Sequence, residues 1–224
     1  MMLKVWMEKD WDRMLEIVLV PFTLLGLSVW IEAEMSSWQE DIAVTQMVDS
    51  YFDGITDILS SEGAELSHYA AIARSRALFF RLQELERKEE MINVLRYLSE
   101  ASPDILRGSP FEQDQQASQY YIDFSYSNLS SSDIQIMELE DMIFISSNFE
   151  QSSFYNFSCE ACSFTASSFR NADFLMVSLA GSDLTDVDFT GSNIGEVDLE
   201  GAILDYAKWS DGRVCVKGSI GICK

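Results

Sequence analysis

The fold is decided by the stretch Ala172-Asp173-Phe174-Leu175-Met176-Val177-Ser178-Leu179-Ala180-Gly181-Ser182-Asp183-Leu184, in which a large apolar residue recurs at every fifth position. The same register is apolar without a miss from Phe124 to Trp209. A helix repeats every 3.6 residues and a strand every 2, so neither produces a five-residue period. A coil that turns one corner per five residues does produce it. The sequence therefore predicts a solenoid whose large side chains point inward.

The inward series is the predicted core ladder of the solenoid. Its members are Phe124, Leu129, Ile134, Leu139, Phe144, Phe149, Phe154, Phe164, Phe169, Phe174, Leu179, Leu184, Phe189, Ile194, Leu199 and Leu204. Two residues before each member stands a second inward residue, which is mostly Ser, Ala, Val or Cys. Met137, Met142 and Phe157 are bulky at this small position, so we expect the early coils to be wider or less regular than the later ones.

The repeated motif is a small residue, then Asp or Asn, then Phe or Leu, followed by two variable residues, as in Ala172-Asp173-Phe174 and Ser182-Asp183-Leu184. This motif resembles the pentapeptide-repeat family, whose fold is a right-handed, four-sided β-helix. The resemblance implies four pentapeptides per coil. With a coil spacing equal to that of paired strands, about four and a half coils would form a rod ~22 Å tall.

The N-terminal region is nearly uncharged between residues 15 and 31, where Glu16 is the single charged residue. This pattern predicts a transmembrane helix over residues 14–31, near the short end of the ~20 residues that a span needs. Trp11 and Trp30 suit the two membrane interfaces. A signal peptide is the competing interpretation, but no small-x-small cleavage site follows the apolar run. A buried core helix is the other alternative.

The orientation of this segment follows from the bases that flank it. Lys4, Lys9 and Arg13 precede the segment, and no Lys or Arg follows it until Arg74. The positive-inside rule then places the N-terminus in the cytoplasm. We therefore expect an integral membrane protein of the thylakoid or plasma membrane, with a lumenal or periplasmic repeat domain.

The predicted fold class is mostly β: a right-handed quadrilateral β-helix preceded by a single transmembrane helix and a small helical region. The predicted organisation is a cytoplasmic N-terminus at 1–13, a transmembrane helix at 14–31, a helical region at 32–102, a linker at 103–120, a pentapeptide-repeat β-helix at 121–209 and a C-terminal cap at 210–224. We expect the helices to pack on each other and to cover the open lower end of the β-helix, because the ends of solenoids need covering.

The whole chain resembles membrane-anchored pentapeptide-repeat proteins of cyanobacteria. The resemblance is carried by the segments KDWDRMLE at 9–16, YFDGITDIL at 51–59, ARSRA at 73–77 and LRYL at 95–98, together with the repeats. Those proteins combine one N-terminal span, a short helical region and a C-terminal repeat domain. That type of protein has no settled biochemical activity, so the resemblance indicates architecture more than function.

The charge of the chain is strongly acidic, with 37 acids against 15 bases and a formal net charge of −22 over 224 residues. Between residues 121 and 209 there are fifteen acids, and the bases are Arg170 and Lys208. Such a surface repels nucleic acid and anionic lipid and attracts basic partners. The alternative is that the acids only keep the repeat surface soluble.

The search for catalytic chemistry is negative. His68 is the single histidine, which excludes a histidine-based triad and a multi-histidine metal site. Acids such as Asp186 and Asp188 recur because the motif places them there, which argues against a glycosidase pair. The sequence therefore predicts no catalytic, cofactor-binding or metal-binding residues and no small-molecule substrate.

Four cysteines form two candidate pairs. Cys159 and Cys162 form a Cys-x-x-Cys pattern that suits redox chemistry or half a zinc site. Both occupy inward positions, however, so we expect buried, reduced thiols that act as small apolar residues. Cys215 and Cys223 bracket a glycine-containing loop after the last repeat, and in an oxidising compartment they are predicted to form a disulfide over the upper end.

Two functions follow from these features. The first is a non-enzymatic, membrane-tethered scaffold or docking subunit that presents an acidic β-helix to a protein partner. The cyanobacterial resemblance implies a photosynthetic or respiratory membrane complex as that partner. The alternative is an acidic DNA mimic that regulates a DNA-binding enzyme, since some pentapeptide-repeat proteins present an acidic rod to DNA gyrase. An enzyme has no supporting constellation in the sequence.

Overall fold

The computed structural model describes residues 20–60, 64–106 and 122–224. The helices are α1 (Val20–Ser60), α2 (Ala64–Glu84), α3 (Lys88–Ala101) and α4 (Pro103–Leu106). The strands are β1 (Asp133–Glu140), β2 (Ser153–Glu160) and β3 (Asp173–Ser178), and a 3-10 helix covers Ile194–Glu196. The chain divides into two compact units, residues 1–50 and residues 51–224. The second unit contains the repeats.

The predicted transmembrane helix is wrong. Among the described residues, no helix combines the length and the apolar character that crossing a bilayer requires. The apolar part of α1 within the described residues ends at Ile31, and Glu32 and Glu34 follow on the same helix. The integral-membrane localisation and the lumenal or periplasmic placement rested on this span and are corrected with it.

Other parts of the N-terminal prediction lie outside the described residues. These parts are the cytoplasmic N-terminus at 1–13, positions 14–19 of the predicted span and most of the linker at 103–120. The linker begins with the short helix α4, not with irregular chain. The mostly β fold class is also wrong, because the described helices contain more residues than the three strands. The β-helix itself is present.

The three helical segments that carried the resemblance pack together in the second unit. Ser75 donates a hydrogen bond to the Ala71 carbonyl, and the buried Tyr51 hydroxyl lies 2.7 Å from Ser75 Oγ. Burial raises the pKa of Tyr51 to about 12, so its hydroxyl stays protonated. The ring of Phe52 meets that of Tyr97 edge to face at 4.7 Å. These contacts join the end of α1 to both α2 and α3.

The β-helix repeats every twenty residues. Parallel bridges join each residue of one coil to the residue twenty positions later, so one coil contains four pentapeptides. The four faces are named by their bridged positions: face A (123, 143, 163, 183, 203), face B (128, 148, 168, 188, 208), face C (133, 153, 173) and face D (138, 158, 178, 198). β1 and β2 each run from face C through the corner into face D. Met137 and Phe157 lie next to these corners and are buried, and β3 passes through the same corner with Val177 at the equivalent position.

Each corner is turned by a residue in the left-handed region. From Tyr126 to Tyr206, every fifth residue has a positive φ with the exception of Glu196. Most of these residues are not glycine, and the left-handed conformation costs an L-residue roughly 1–2 kcal/mol. The stacking of coils must therefore hold the corners in a conformation that the isolated chain disfavours.

The core ladder fills the interior. All sixteen of its members are buried, and Trp209 is half-buried at the upper end. Aromatic rings stack from coil to coil, with centroid distances of 5.2 Å for Phe144 and Phe164, 4.8 Å for Phe149 and Phe169, and 5.4 Å for Phe169 and Phe189. Burial of each such side chain contributes ~1.5–3 kcal/mol.

Serine at the small inward positions has a specific structural role. Ser147 Oγ accepts from the Ser127 N–H of the coil below and donates to the Phe124 carbonyl at 2.9 Å. Ser182 makes the same two bonds between later coils: its Oγ accepts from the Cys162 N–H and donates to the Cys159 carbonyl. A buried hydroxyl is tolerated when it is hydrogen-bonded. These serines therefore join successive coils from inside.

The first prediction tests the inward register. We expect Phe169→Ala to lower the free energy of unfolding by ~3–5 kcal/mol, because it opens a cavity between stacked rings. The neighbouring Arg170 points outward and makes exposed ion pairs with Glu150 and Asp188. Arg170→Ala is the matched control and should cost at most ~1 kcal/mol. Chemical denaturation measures both values, and equal costs would contradict the register.

Candidate functional site: the outer faces of the β-helix

The lower end of the β-helix is covered by side chains of the helices. Some carbonyls of the first coil accept from the second coil, as the Ser127 carbonyl does from the Asn148 N–H at 2.9 Å, and others are bonded by the helices. Three of them accept hydrogen bonds from helix side chains: Gln83 Nε2 to the Ser125 carbonyl at 3.1 Å, Lys88 Nζ to the Ser130 carbonyl at 2.5 Å, and Arg96 Nε to the Gln135 carbonyl at 3.2 Å. The acceptors lie five residues apart, one on each of faces A, B and C.

The aromatic core is closed at the same end. The ring of Phe79 in α2 meets that of Phe124, the lowest ring of the core ladder, edge to face at 4.6 Å. The expected covering of the lower end by helices is therefore observed, through both apolar and hydrogen-bonding contacts. This end is not available as a sheet edge for a partner.

The upper end is closed by the C-terminal segment. Antiparallel bridges join Ile203 to Ile220 and Lys208 to Val214, so the chain folds back over faces A and B of the last coil. Cys215 and Cys223 are joined by a disulfide, with their Cα atoms 4.9 Å apart. The disulfide lies on the buried side of this segment.

The expectation of reduced thiols at Cys159 and Cys162 is wrong, because the structure joins them in a disulfide. Both side chains are fully buried, as their inward positions require. Cys159 is the large inward residue of one face, and Cys162 is the small inward residue that begins the next face. The corner between them brings their Cα atoms to 5.7 Å, within the range that a disulfide spans.

Many acids and amides of the motif are structural. At several positions the residue before the core position accepts a hydrogen bond from the backbone N–H two residues later, as Asp183 does from Thr185 at 3.0 Å and Asn148 does from Glu150 at 2.9 Å. Aspartate and asparagine both form this turn. Local geometry therefore accounts for the Asp or Asn of the motif, but it does not account for the acids at the variable positions.

The two bases of the repeats are both on face B. Arg170 Nη1 and Lys208 Nζ each lie 3.2 Å from Asp188 Oδ2, and Arg170 Nε lies 3.9 Å from Glu150. Burial alone would raise the pKa of Asp188, but hydrogen bonds from the Thr190 side chain and N–H, and then from Lys208 and Arg170, lower it to about 2. Face B therefore compensates its own acids.

Faces C and D are acidic and carry neither of the two bases of the repeats. Together with their corner residues they carry nine acids, all exposed, and no Lys or Arg. The nine are Asp133, Asp173 and Glu196 on face C, and Glu138, Glu140, Asp141, Glu160, Asp198 and Glu200 on face D. We call faces C and D the acidic faces.

The fourth coil departs from the regular geometry on face C. The chain forms the 3-10 helix over Ile194–Glu196 in place of a fourth strand. Ile194 remains buried, so the core ladder is unbroken. The Asn193 side chain replaces a backbone carbonyl, because its Oδ1 accepts from the Phe174 N–H at 2.6 Å. Below this departure the acidic surface contains an open cavity of about 630 Å³.

We call this cavity the furrow, lined by Tyr155, Asp173, Leu175, Asn193, Gly195 and Glu196. Tyr155 and Leu175 are 39% and 51% exposed, so they provide apolar surface within an acidic face. The sequence analysis identified none of the six as a surface site, because the five-residue register continues through them. Gly195 is the sequence feature that could have indicated the furrow, because glycine places no side chain at this outward position.

The described residues also contain no cluster of His, Cys, Asp and Glu able to hold a metal ion. His68 is half-buried on α2, distant in sequence from the acidic faces. The exposed groups of the outer faces are acids, amides, hydroxyls and apolar side chains, with Arg170 and Lys208 on face B. What these faces offer chemically is a charged, contoured surface for binding.

The second prediction tests the cover of the lower end. Arg96→Leu should lower the free energy of unfolding by ~1–3 kcal/mol, because it leaves the Gln135 carbonyl without its donor. Arg81→Leu is the matched control: Arg81 lies in α2 and makes an exposed pair with Glu84, whose loss should cost at most ~1 kcal/mol. Urea unfolding gives both values, and equal effects would remove the special role of Arg96.

The third prediction concerns acid. Because the pKa of Asp188 is lowered from 3.8 to about 2, its charge stabilises the folded protein above pH 4, and this contribution is lost as the pH falls towards 2. The stability difference between the wild type and Asp188→Asn should therefore shrink as the pH falls from 6 to 2.5. A difference that is constant over this range, measured by denaturant unfolding, would contradict the assignment.

Comparisons with known proteins agree with the coil geometry. The family model "Pentapeptide repeats (8 copies)" matches residues 182–208, within the most regular part of the β-helix. A search among curated proteins gave no match.

Solved structures with a similar coil include three pentapeptide repeat proteins. HetL from the cyanobacterium Nostoc sp., involved in heterocyst differentiation regulation, is 18% identical with a TM-score of 0.41, and the alignment covers 49% of this chain and 46% of that one. Rfr23 from the cyanobacterium Cyanothece is 23% identical with a TM-score of 0.36, covering 45% and 71%. A protein of the Arabidopsis thaliana thylakoid lumen is 26% identical with a TM-score of 0.30, covering 43% and 59%.

The aligned part spans about half the length of HetL. The five-residue register, the four faces per coil and the family match identify the C-terminal half of this chain as a pentapeptide-repeat β-helix.

Proposed function

We propose that this protein is a non-enzymatic docking protein whose acidic faces bind a basic surface on a protein partner. The observation that supports the proposal is the uneven distribution of charge. Faces C and D have nine exposed acids and no base, whereas face B pairs Asp188 with both bases of the repeats. Acids that served solubility alone would not need to be separated from bases in this way.

The β-helix suits this function because it is preorganised. Coil-to-coil hydrogen bonds hold the backbone, and inward serines and stacked rings hold the interior, so little conformational entropy is lost when an outer face binds. Charge on one side of a rigid body also steers a basic partner to that side and accelerates association. Such binding weakens with salt, because exposed charges are screened.

The test compares two variants of equal net charge. The first neutralises face D through Glu138→Gln, Glu160→Gln and Glu200→Gln. The matched control neutralises three acids on faces A and B through Glu150→Gln, Asp183→Asn and Asp186→Asn. Each variant and the wild type are immobilised, exposed to an extract of the cells that encode the protein, and eluted with a salt gradient.

We expect the wild type and the control to retain the same basic proteins at low salt and to release them as salt rises. The face D variant should retain them at least ~10-fold less, since each lost charge contact contributes of order 1 kcal/mol. Equal retention by the two variants would show that net charge, not the acidic faces, is responsible. The absence of any retained protein with the wild type would also contradict the proposal.

A further inference from the structure

We propose that the furrow on face C receives an extended segment of the protein partner, and that this segment carries aliphatic and basic side chains. The inference rests on the proposed function and deepens it, because it names the place where the partner's main chain engages the acidic faces. Three observations support it: an open hydrogen-bond donor, apolar surface without a cover, and acids on both sides.

The open donor is the Met176 N–H. At the equivalent positions of the third coil, Ala166 donates to the Thr185 carbonyl at 2.9 Å, Asn171 to the Thr190 carbonyl at 3.0 Å, and Gly181 to the Glu200 carbonyl at 2.8 Å. Within the described β-helix, Met176 makes no corresponding bond to the fourth coil, because the 3-10 helix replaces the strand there. The upper edge of β3 is therefore unpaired at this point, and an unpaired edge binds extended chains.

The apolar surface lies directly below. Tyr155 of β2 and Leu175 of β3 are paired neighbours on the outward side of face C, and both are substantially exposed. Above them, Gly195 contributes no side chain, and a methyl group built on it would meet no atom within 4 Å. The furrow is thus open above Tyr155 and Leu175, and its floor can accept an aliphatic side chain of a bound segment.

The charge around the furrow selects the partner. Asp173 and Glu196 line its sides, and Glu196 also borders a second cavity of about 260 Å³, where Glu138 is another lining residue. No base of the repeats lies on this face. Acids along the whole path favour a segment with Lys or Arg beside its aliphatic residues and repel nucleic acid and anionic lipid.

A second copy of this chain is a poorer occupant. Two copies that met through this face would bring Asp173 and Glu196 of one chain against the same acids of the other, and like charges in contact are unfavourable. An extended segment avoids this repulsion. Its carbonyl accepts from Met176, one aliphatic side chain covers Leu175 and Tyr155, and a neighbouring base reaches Glu196.

The experiment uses a phage-displayed library of random twelve-residue peptides, selected on the full chain. The best peptides are then synthesised with a fluorescent label, and their affinities are measured by anisotropy. Gly195→Trp adds a large side chain at a residue that lines the furrow, where a methyl group would meet no atom within 4 Å. Thr165→Trp places the same side chain at the equivalent outward position of face A as the matched control. Thermal melting and circular dichroism verify that both variants fold.

We expect selected peptides to alternate aliphatic residues with Lys or Arg, and Gly195→Trp to weaken their binding at least 10-fold while Thr165→Trp does not. Glu196→Lys should weaken it similarly, and a proline in the middle of the peptide should abolish it. Selected peptides that are acidic or uncharged, or equal binding to both tryptophan variants, would overturn the proposal. A dimer in light scattering that Gly195→Trp abolishes would assign the furrow to a second copy and overturn it as well.

The face D variant separates this inference from the proposed function. Loss of peptide binding and weaker retention of basic proteins in Gly195→Trp, together with loss of retention in the face D variant, supports both. If retention of basic proteins depends on face D but no selected peptide depends on the furrow, the docking function stands and the furrow is overturned as a binding site. If peptide binding depends on the furrow but the face D variant retains basic proteins as well as the wild type does, the broad acidic surface is overturned as the docking site.

Discussion

The twenty-residue register between coils is the constraint on which the rest of the structure depends. Backbone hydrogen bonds join each coil to the next, and the bridged residues are twenty positions apart in the sequence. The corners place a residue in the left-handed region at nearly every fifth position, and most of these residues are not glycine. The left-handed conformation of a non-glycine residue is energetically unfavourable. Stacked aromatic rings and inward serines compensate from inside. Because the register defines the faces, it also defines which acids lie side by side.

A stack of coils has two ends, and the chain closes each differently. Helix side chains supply donors to the lowest carbonyls, and Phe79 completes the stack of rings. At the top, an antiparallel segment held by the Cys215–Cys223 disulfide covers faces A and B. Both ends are covered, so the exposed edge at Met176 lies between the ends of the β-helix, where the fourth coil departs from the regular geometry. It lies in the middle of the acidic faces, where a docking function would use it.

The sequence predicted the β-helix and its interior because neither a helix nor a flat sheet places a large residue at every fifth position. It misjudged residues 14–31, because an apolar run at the short end of the required length does not distinguish a span from another helix. It placed Cys159 and Cys162 inward but not within bonding distance, because the turn between two inward positions is a property of the corner. It overlooked the furrow, since Ile194 keeps the register while the backbone around it changes.

The acidic composition alone is consistent with two roles, solubility and binding. Only the assignment of each acid to a face separates them: some acids stabilise turns, Asp188 is neutralised by neighbours, and nine lie on the acidic faces. This distribution could not be predicted from net charge. It follows from the twenty-residue coil, which places residues i and i + 20 on the same face.

The central claim is that the fourth coil leaves β3 unpaired above Met176 while the rest of the β-helix remains bonded. Native-state hydrogen exchange, followed by NMR at single amides, tests it directly. The account predicts that the Met176 amide exchanges at least ~100-fold faster than the amides of Ala166, Asn171 and Gly181, which occupy the equivalent corners and are bonded to the coil above. Equal protection at all four amides would show that the ladder continues over β3, and it would contradict the account.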